Sequence, residues 1–157
     1  MINCIFEDGG KGSLRHVTID ALVIKDNKIL LVKRAPHLTN PDKYALPGGF
    51  LGRNETTSEA IKREIMEETG YKVKNINLFR INDNPKRIGE DRQNVDFIFI
   101  VEAGDKVAGF DKEVKQLELV DLNNLPSPDE FAFDHFENIK LYLKYEEKPF
   151  ALPVFNP

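Results

Sequence analysis

The sequence predicts an α/β fold. Three observations carry it: a β-branched strand pair before residue 35, a helix with start and stop signals over about 57–69, and a second strand pair behind that helix. A chain of 157 residues is about one domain by size, with enough length for a sizeable core. The reading is a single domain over 1–157.

Taken in order, residues 16–24 and 28–34 are aliphatic or β-branched segments, joined by Lys25-Asp26-Asn27 as a hairpin turn. Residues 44–46 make a short strand leading into Leu46-Pro47-Gly48-Gly49-Phe50, a tight turn suited to close backbone approach. In the helix, Thr56 and Glu59 fit a capping box. No glycine or proline follows until Gly70, which sits where a left-handed cap falls. Ile61 and Ile65 give it an apolar stripe. Residues 73–81 and 95–102 read as a strand pair around a polar loop over 82–94, and 114–120 as a further strand. Leu125-Pro126-Ser127-Pro128 breaks the chain ahead of a second helix at about 133–146, apolar at Phe136, Ile139 and Leu143. The proline-bearing tail after Lys148 reads as extended.

Glu64, Glu67 and Glu68 stand at i, i+3 and i+4 of the first helix and so share one face. Like charges at that spacing destabilise an isolated helix, so the triad calls for a cation. A hard divalent ion with oxygen ligands is the natural occupant.

Residues 49–71, GFLGRNETTSEAIKREIMEETGY, resemble the Nudix box, G-x5-E-x7-R-E-U-x-E-E-x-G-U with U aliphatic. Gly49, Glu55, Arg63, Glu64, Ile65, Glu67, Glu68 and Gly70 agree; Tyr71 replaces the last aliphatic residue, at a packing position. The resemblance implies an α/β/α sandwich with a mixed central sheet and a metal-dependent enzyme that cleaves the pyrophosphate of a nucleoside diphosphate linked to another moiety. It implies Mg²⁺ or Mn²⁺ held by Glu64, Glu67 and Glu68, with Gly48 of the turn added to the set. Glu64 also orients or deprotonates water, and Arg63 orients a box carboxylate. Such chemistry needs charge neutralisation and geometry more than a protein nucleophile, and none is evident.

Within that family a proline about fifteen residues past the box goes with ADP-ribose hydrolases. Pro85 fits to within a residue, and Asp83-Asn84-Pro85-Lys86-Arg87, Asp91-Arg92 and Phe133-Asp134-His135 resemble that subgroup. The expected substrate is therefore ADP-ribose, split into AMP and ribose 5-phosphate. Pro85, Arg87, Arg92 and Phe50 are read as substrate-binding, the arginines (with Lys86) as phosphate donors. Against this, Pro85 as simple loop punctuation is the bland reading. Glu113 is read as an additional carboxylate near the metals, against a solvated charge. Glu90 and Asp91 are weighed as a general base from the loop, the solvated reading being the stronger. His16, His37 and His135 share no motif spacing and read as structural or exposed. Tyr44, Phe50 and Phe79 are weighed between stacking an adenine and packing in the core. The alternatives are a nucleoside triphosphate pyrophosphatase clearing oxidised nucleotides and a non-catalytic nucleotide-binding regulatory module. The latter is disfavoured because every box carboxylate is present.

Net charge is −4, which gives no bulk cationic field for nucleic acid. Cys4 is the single cysteine, excluding an intrachain disulfide and a cysteine-built zinc site. The N-terminus lacks the order of a signal peptide, and apolar runs such as 97–101 are too short to span a bilayer. The expectation is a cytoplasmic protein with a small-molecule partner. The apolar tail over 150–155 offers a means of homodimer formation.

Overall fold

The computed structural model describes residues 1–87, 89 and 92–155. The strands are β1 (Ile2–Ile5), β2 (Lys11–Leu14), β3 (Val17–Lys25), β4 (Lys28–Arg34), β5 (Tyr44–Ala45), β6 (Gly48–Phe50), β7 (Tyr71–Asn82), β8 (Val95–Lys106), β9 (Val114–Asp121) and β10 (Val154–Phe155). The α-helices are α1 (Thr57–Thr69), between β6 and β7, and α2 (His135–Glu147), between β9 and β10. The main sheet runs β10-β7-β8-β3-β4-β5, with β6 paired to β3 and β9 to β4. It is mixed: β3 lies parallel to β8 and antiparallel to β4 and β6. Asp26 and Asn27 both have positive φ (49° and 59°), the backbone a two-residue hairpin turn demands.

Strand alternation sends side chains to two opposite layers. Ile19, Ala21 and Val23 of β3 pack with Ala60, Ile61 and Ile65 of α1. Leu22, from the other face, packs with Phe79, Ile98, and Ile139 and Tyr142 of α2. This is the expected α/β/α sandwich. Ile61 and Ile65 are fully buried, each stabilising by about 1.5–3 kcal/mol. Helix α1 starts on the capping box, with Thr56 Oγ1 accepting from the Glu59 N–H at 3.2 Å and Glu59 Oε2 accepting from the Thr56 N–H at 2.8 Å. It ends at Gly70 (φ 72°), whose N–H bonds the Met66 carbonyl. A Cβ at Gly70 would lie 2.0 Å from the Ala108 carbonyl oxygen, so only glycine fits. Tyr71 packs against the α1-side core, with Lys25 Nζ 5.0 Å over its ring.

Three places differ from expectation. The second helix begins at His135 rather than 133, because Phe133 has positive φ (52°) and cannot continue a helix. The hairpin β1–β2 forms a separate two-stranded sheet that gives no strong alternation in sequence. The tail adds β10 as a parallel strand on the β7 edge of its own chain.

Candidate active site

The glycine turn and α1 meet at the carboxylate face. Gly48 and Gly49 lie on β6, in register with Asp20 and Ile19, and the Pro47 carbonyl accepts from the Ala21 N–H at 2.9 Å. The turn is thereby fastened to the central strand. A Cβ at Gly49 would lie 2.4 Å from Glu64 Oε1, and one at Gly48 2.5 Å from Asp20 Oδ1. Both glycines are needed for close approach. Glu68 is buried and accepts from the Gly48 N–H at 2.9 Å. Burial, opposed by that one N–H and reinforced by Glu64, Asp111 and Glu113, pushes the Glu68 carboxyl up to about 8. Burial also raises the Glu64 carboxyl, against the pull of Arg63.

Arg63 gathers the other acids. It grips Glu55 with two bonds (Nη2–Oε1 2.7 Å, Nε–Oε2 3.0 Å), Glu64 at 2.7 Å and Glu67 at 3.1 Å, and reaches the Phe50 carbonyl at 3.3 Å. Glu113 is exposed, and its charge acts on both Glu64 and Glu68. Among the described residues no three acidic or histidine side chains converge on one ligating position; Arg63 draws Glu64 and Glu67 to its own guanidinium. The donor chemistry still fits a hard cation. The set is all oxygen, and the buried Glu68 carboxylate has one N–H partner and three acidic neighbours against the field of Arg34.

Of the residues expected to bind substrate, the structure brings Phe50 and Arg92 together, with the Arg92 guanidinium 5.5 Å from the exposed Phe50 ring and His16 5.1 Å from it. Tyr44 and Phe79 are core: Tyr44 donates to Glu118 Oε2 at 2.9 Å, and Phe79 packs on Tyr142 and Tyr145. Arg15, unmarked in the sequence, pins the loop between β7 and β8 by donating to the carbonyls of Asp83, Gln93 and Asn94. Arg34 is the cation that sequence reasoning missed. Its guanidinium lies 5.2 Å from the Phe133 ring, its Nε donates to the Thr39 carbonyl at 2.7 Å, and it feels the charges of Glu68, Asp20 and Glu113. The strand pattern in Lys33-Arg34 gives no sign that Arg34 lies within the field of these carboxylates.

Pro85 is exposed in a stretch whose hydrogen bonds run to Asn82 and Asn84, not to the carboxylates. Arg87 lies inside rather than on the surface. Its side chain is 4% exposed and paired with Asp134 at 2.6 Å and Asp96 at 3.4 Å. Glu90 and Asp91 lie outside the described residues.

Behind the glycine turn is a second polar group. His135 is buried; its Nδ1 accepts from the Leu46 N–H at 2.9 Å, and its Nε2 is 3.5 Å from Asp20 Oδ2. Burial lowers its pKa to about 3, so the ring is neutral, as an acceptor Nδ1 requires. Burial and the neighbouring Asp96 raise the Asp20 carboxyl well above the usual carboxylate range.

The NUDIX domain family model matches residues 14–142. The chain is 43% identical, over 133 residues, to a protein of Methanocaldococcus jannaschii named ADP-ribose pyrophosphatase, covering 83% of this chain and 74% of that one. Its fold matches the NUDIX hydrolase of Nitrosomonas europaea with a TM-score of 0.77 at 23% identity, over 99% of this chain and 90% of that one. It also matches the NUDIX domain of Shewanella oneidensis NrtR, crystallised with ADP ribose, with a TM-score of 0.68 at 22% identity, over 86% and 90% of the two chains.

Proposed function

Since the chain belongs to the NUDIX family, we propose that it is a divalent-metal-dependent pyrophosphohydrolase that splits ADP-ribose into AMP and ribose 5-phosphate. The observation that carries the chemistry is the buried Glu68 carboxylate on the Gly48 amide, with Glu64 and Glu113 beside it. The choice of ADP-ribose draws on the name of the Methanocaldococcus relative, similar over most of both chains.

Glu64, Glu67 and Glu68, with Gly48, would hold Mg²⁺ or Mn²⁺. The ion supplies charge neutralisation of the pyrophosphate and a lowered pKa for the attacking water. Arg63 sets the rotamers of Glu64 and Glu67 and holds Glu55 as its anchor. Glu64 takes up the proton that water loses, and Glu113 adds its negative charge beside the metal carboxylates. Arg34 and Arg92 clamp phosphate oxygens, and Phe50 offers its exposed face to the adenine. Arg87 serves the loop from within through Asp134.

We take residues 1–157 as a single NUDIX domain, cytoplasmic and without a nucleic-acid partner; among the described residues no helix is long and apolar enough to cross a membrane. For the homodimer, the exposed Ile2, Ile5, Phe6 and Leu14 of the hairpin offer a better surface than the tail, which pairs with its own β7.

The test is product identification with Mg²⁺ or Mn²⁺ and a panel of ADP-ribose, NADH, diadenosine polyphosphates, nucleotide sugars and oxidised triphosphates. AMP and ribose 5-phosphate from ADP-ribose are expected. Turnover confined to triphosphates would replace this reading with the sanitising one.

A further inference from the structure

The tripeptide Phe133-Asp134-His135 stands at the start of α2, and each of its side chains reaches a different functional segment. The Phe133 ring lies under the Arg34 guanidinium at 5.2 Å. The Asp134 carboxylate accepts from Arg87 (Nη2 2.6 Å, Nε 3.2 Å) and from Asn82 Nδ2 at 2.7 Å. Asn82 closes β7, and Arg87 lies in the loop that follows, which carries Arg92. His135 Nδ1 accepts from the Leu46 N–H, two residues before Gly48.

Three consecutive side chains can fan out this way because Phe133 takes a left-handed backbone (φ 52°), which a phenylalanine rarely adopts. The segment is bolted to the strand that leads into the turn: the Ala132 N–H donates to the Tyr44 carbonyl at 2.8 Å. Asp134 is the N-cap residue of α2, yet its side chain makes no cap hydrogen bond. An aspartate there normally caps the helix; here the carboxylate is given to the loop instead. His135 likewise faces the turn with an acceptor, in a position where an apolar side chain would fill the same space. Helix formation explains neither choice.

We propose that Phe133, Asp134 and His135 are the positioning residues of the site, fixing the phosphate arginine, the substrate loop and the metal-bearing turn in one frame. The inference rests on the proposed metal site and deepens it. Residues behind a ligand-bearing segment commonly change metal affinity by about 10–100-fold. His135 acts on the metal through Leu46 and Gly48, and Asp134 acts on substrate through Arg87.

The test compares two amides at position 135. Asn places its carbonyl oxygen near the Nδ1 position and retains an acceptor for the Leu46 N–H. Gln carries the same amide one carbon further out, near Nε2, and loses it. Mn²⁺ binding is read without substrate by electron paramagnetic resonance, with melting temperature as the control on folding. His135→Gln should weaken Mn²⁺ binding about tenfold or more while His135→Asn stays within about threefold of wild type. In parallel, Asp134→Asn should raise KM for ADP-ribose about tenfold with Mn²⁺ affinity unchanged. Equal Mn²⁺ affinity in the two position-135 variants, or loss of the fold in both, overturns the proposal, since a residue that merely packs gives that result. The Mn²⁺ arm needs no substrate, so a wild type that leaves ADP-ribose intact would sink the substrate reading without touching this one.

Discussion

Arg63 and Arg87 each hold two or more carboxylates, one at the surface and one inside. The Arg63 side chain is 36% exposed and its partner Glu67 50%, whereas Arg87 is 4% exposed and Asp96 0%. The Arg63 cluster opens to water at Glu67 and Glu113, where unmatched charge is screened, and runs inward to the buried Glu68, so that Glu55, Glu64, Glu67, Glu68 and Glu113 outnumber Arg63 and Arg34. The excess is what a divalent ion would satisfy. In the interior the balance has to close locally: Arg87 is matched by Asp134 and Asp96, and the Asp20 carboxyl is held protonated further up the pH scale by burial. One cluster is open and tuned to a ligand; the other is closed and tuned to geometry.

Breaking each cluster should therefore give different losses. The largest effect is on turnover: Glu68→Gln and Glu64→Gln should each lower kcat by roughly 10³-fold or more, with an unchanged or higher melting temperature because a crowded carboxylate has been neutralised. Rates near wild type in both would remove the catalytic assignment. Next comes stability. Arg87→Met leaves Asp96 and Asp134 buried without their cation and should cost about 3–5 kcal/mol in urea unfolding. Arg63→Met, at the half-exposed cluster, should cost about 1 kcal/mol or less while still impairing catalysis. Similar unfolding free energies for the two would erase the contrast.

Sequence reasoning reached the open cluster almost whole and the closed one hardly at all. The acids of α1 follow the helical period and the caps, so Glu64, Glu67, Glu68 and Arg63 could be placed on one helix by counting. The strands beside them were legible because apolar alternation is local. Arg87 and Asp134, in contrast, are 47 residues apart, and His135 and Leu46 are 89 apart; no period joins them. Arg87 reads as a phosphate donor because its loop is both basic and acidic and resembles that of the ADP-ribose hydrolases, and only the tertiary fold puts Asp96 beside it. Arg34 was hidden for the same reason. It closes a strand with a register shift between Lys33 and Arg34, where strand alternation stops being a guide. The expected start of α2 at 133 fails at Phe133, whose positive φ has no sequence mark in an aromatic residue.

Two smaller effects sharpen the comparison. Arg34→Met should raise KM for ADP-ribose by about 10–100-fold, the loss of one charge-assisted phosphate contact, with little change in stability. A KM unchanged from wild type would take Arg34 out of the phosphate site. The closed cluster should also show a pH signature. The folded His135 ring takes its proton only near 3, against 6.5 in an ordinary histidine, so the unfolded chain binds that proton first as the pH falls. The stability tied to the neutral ring is complete above about 6.5 and is lost toward 3. The wild-type advantage over His135→Asn should fall by about 2 kcal/mol between pH 7 and pH 5, measured by urea unfolding at each pH; parallel profiles would contradict a neutral buried imidazole. Smallest, Phe50→Ala should raise KM about tenfold through lost stacking, and a wild-type KM would move the adenine elsewhere.

A divalent ion would satisfy the excess acid of the open cluster. Calorimetric titration of Mn²⁺ into the wild type, Glu68→Gln and a control on β8, Glu102→Gln, which pairs with Ile24 toward the opposite end of β3 from Asp20, tests it directly. Binding in the wild type and the control, with affinity lower by about tenfold or more in Glu68→Gln, is the predicted result; the same affinity in all three would contradict it.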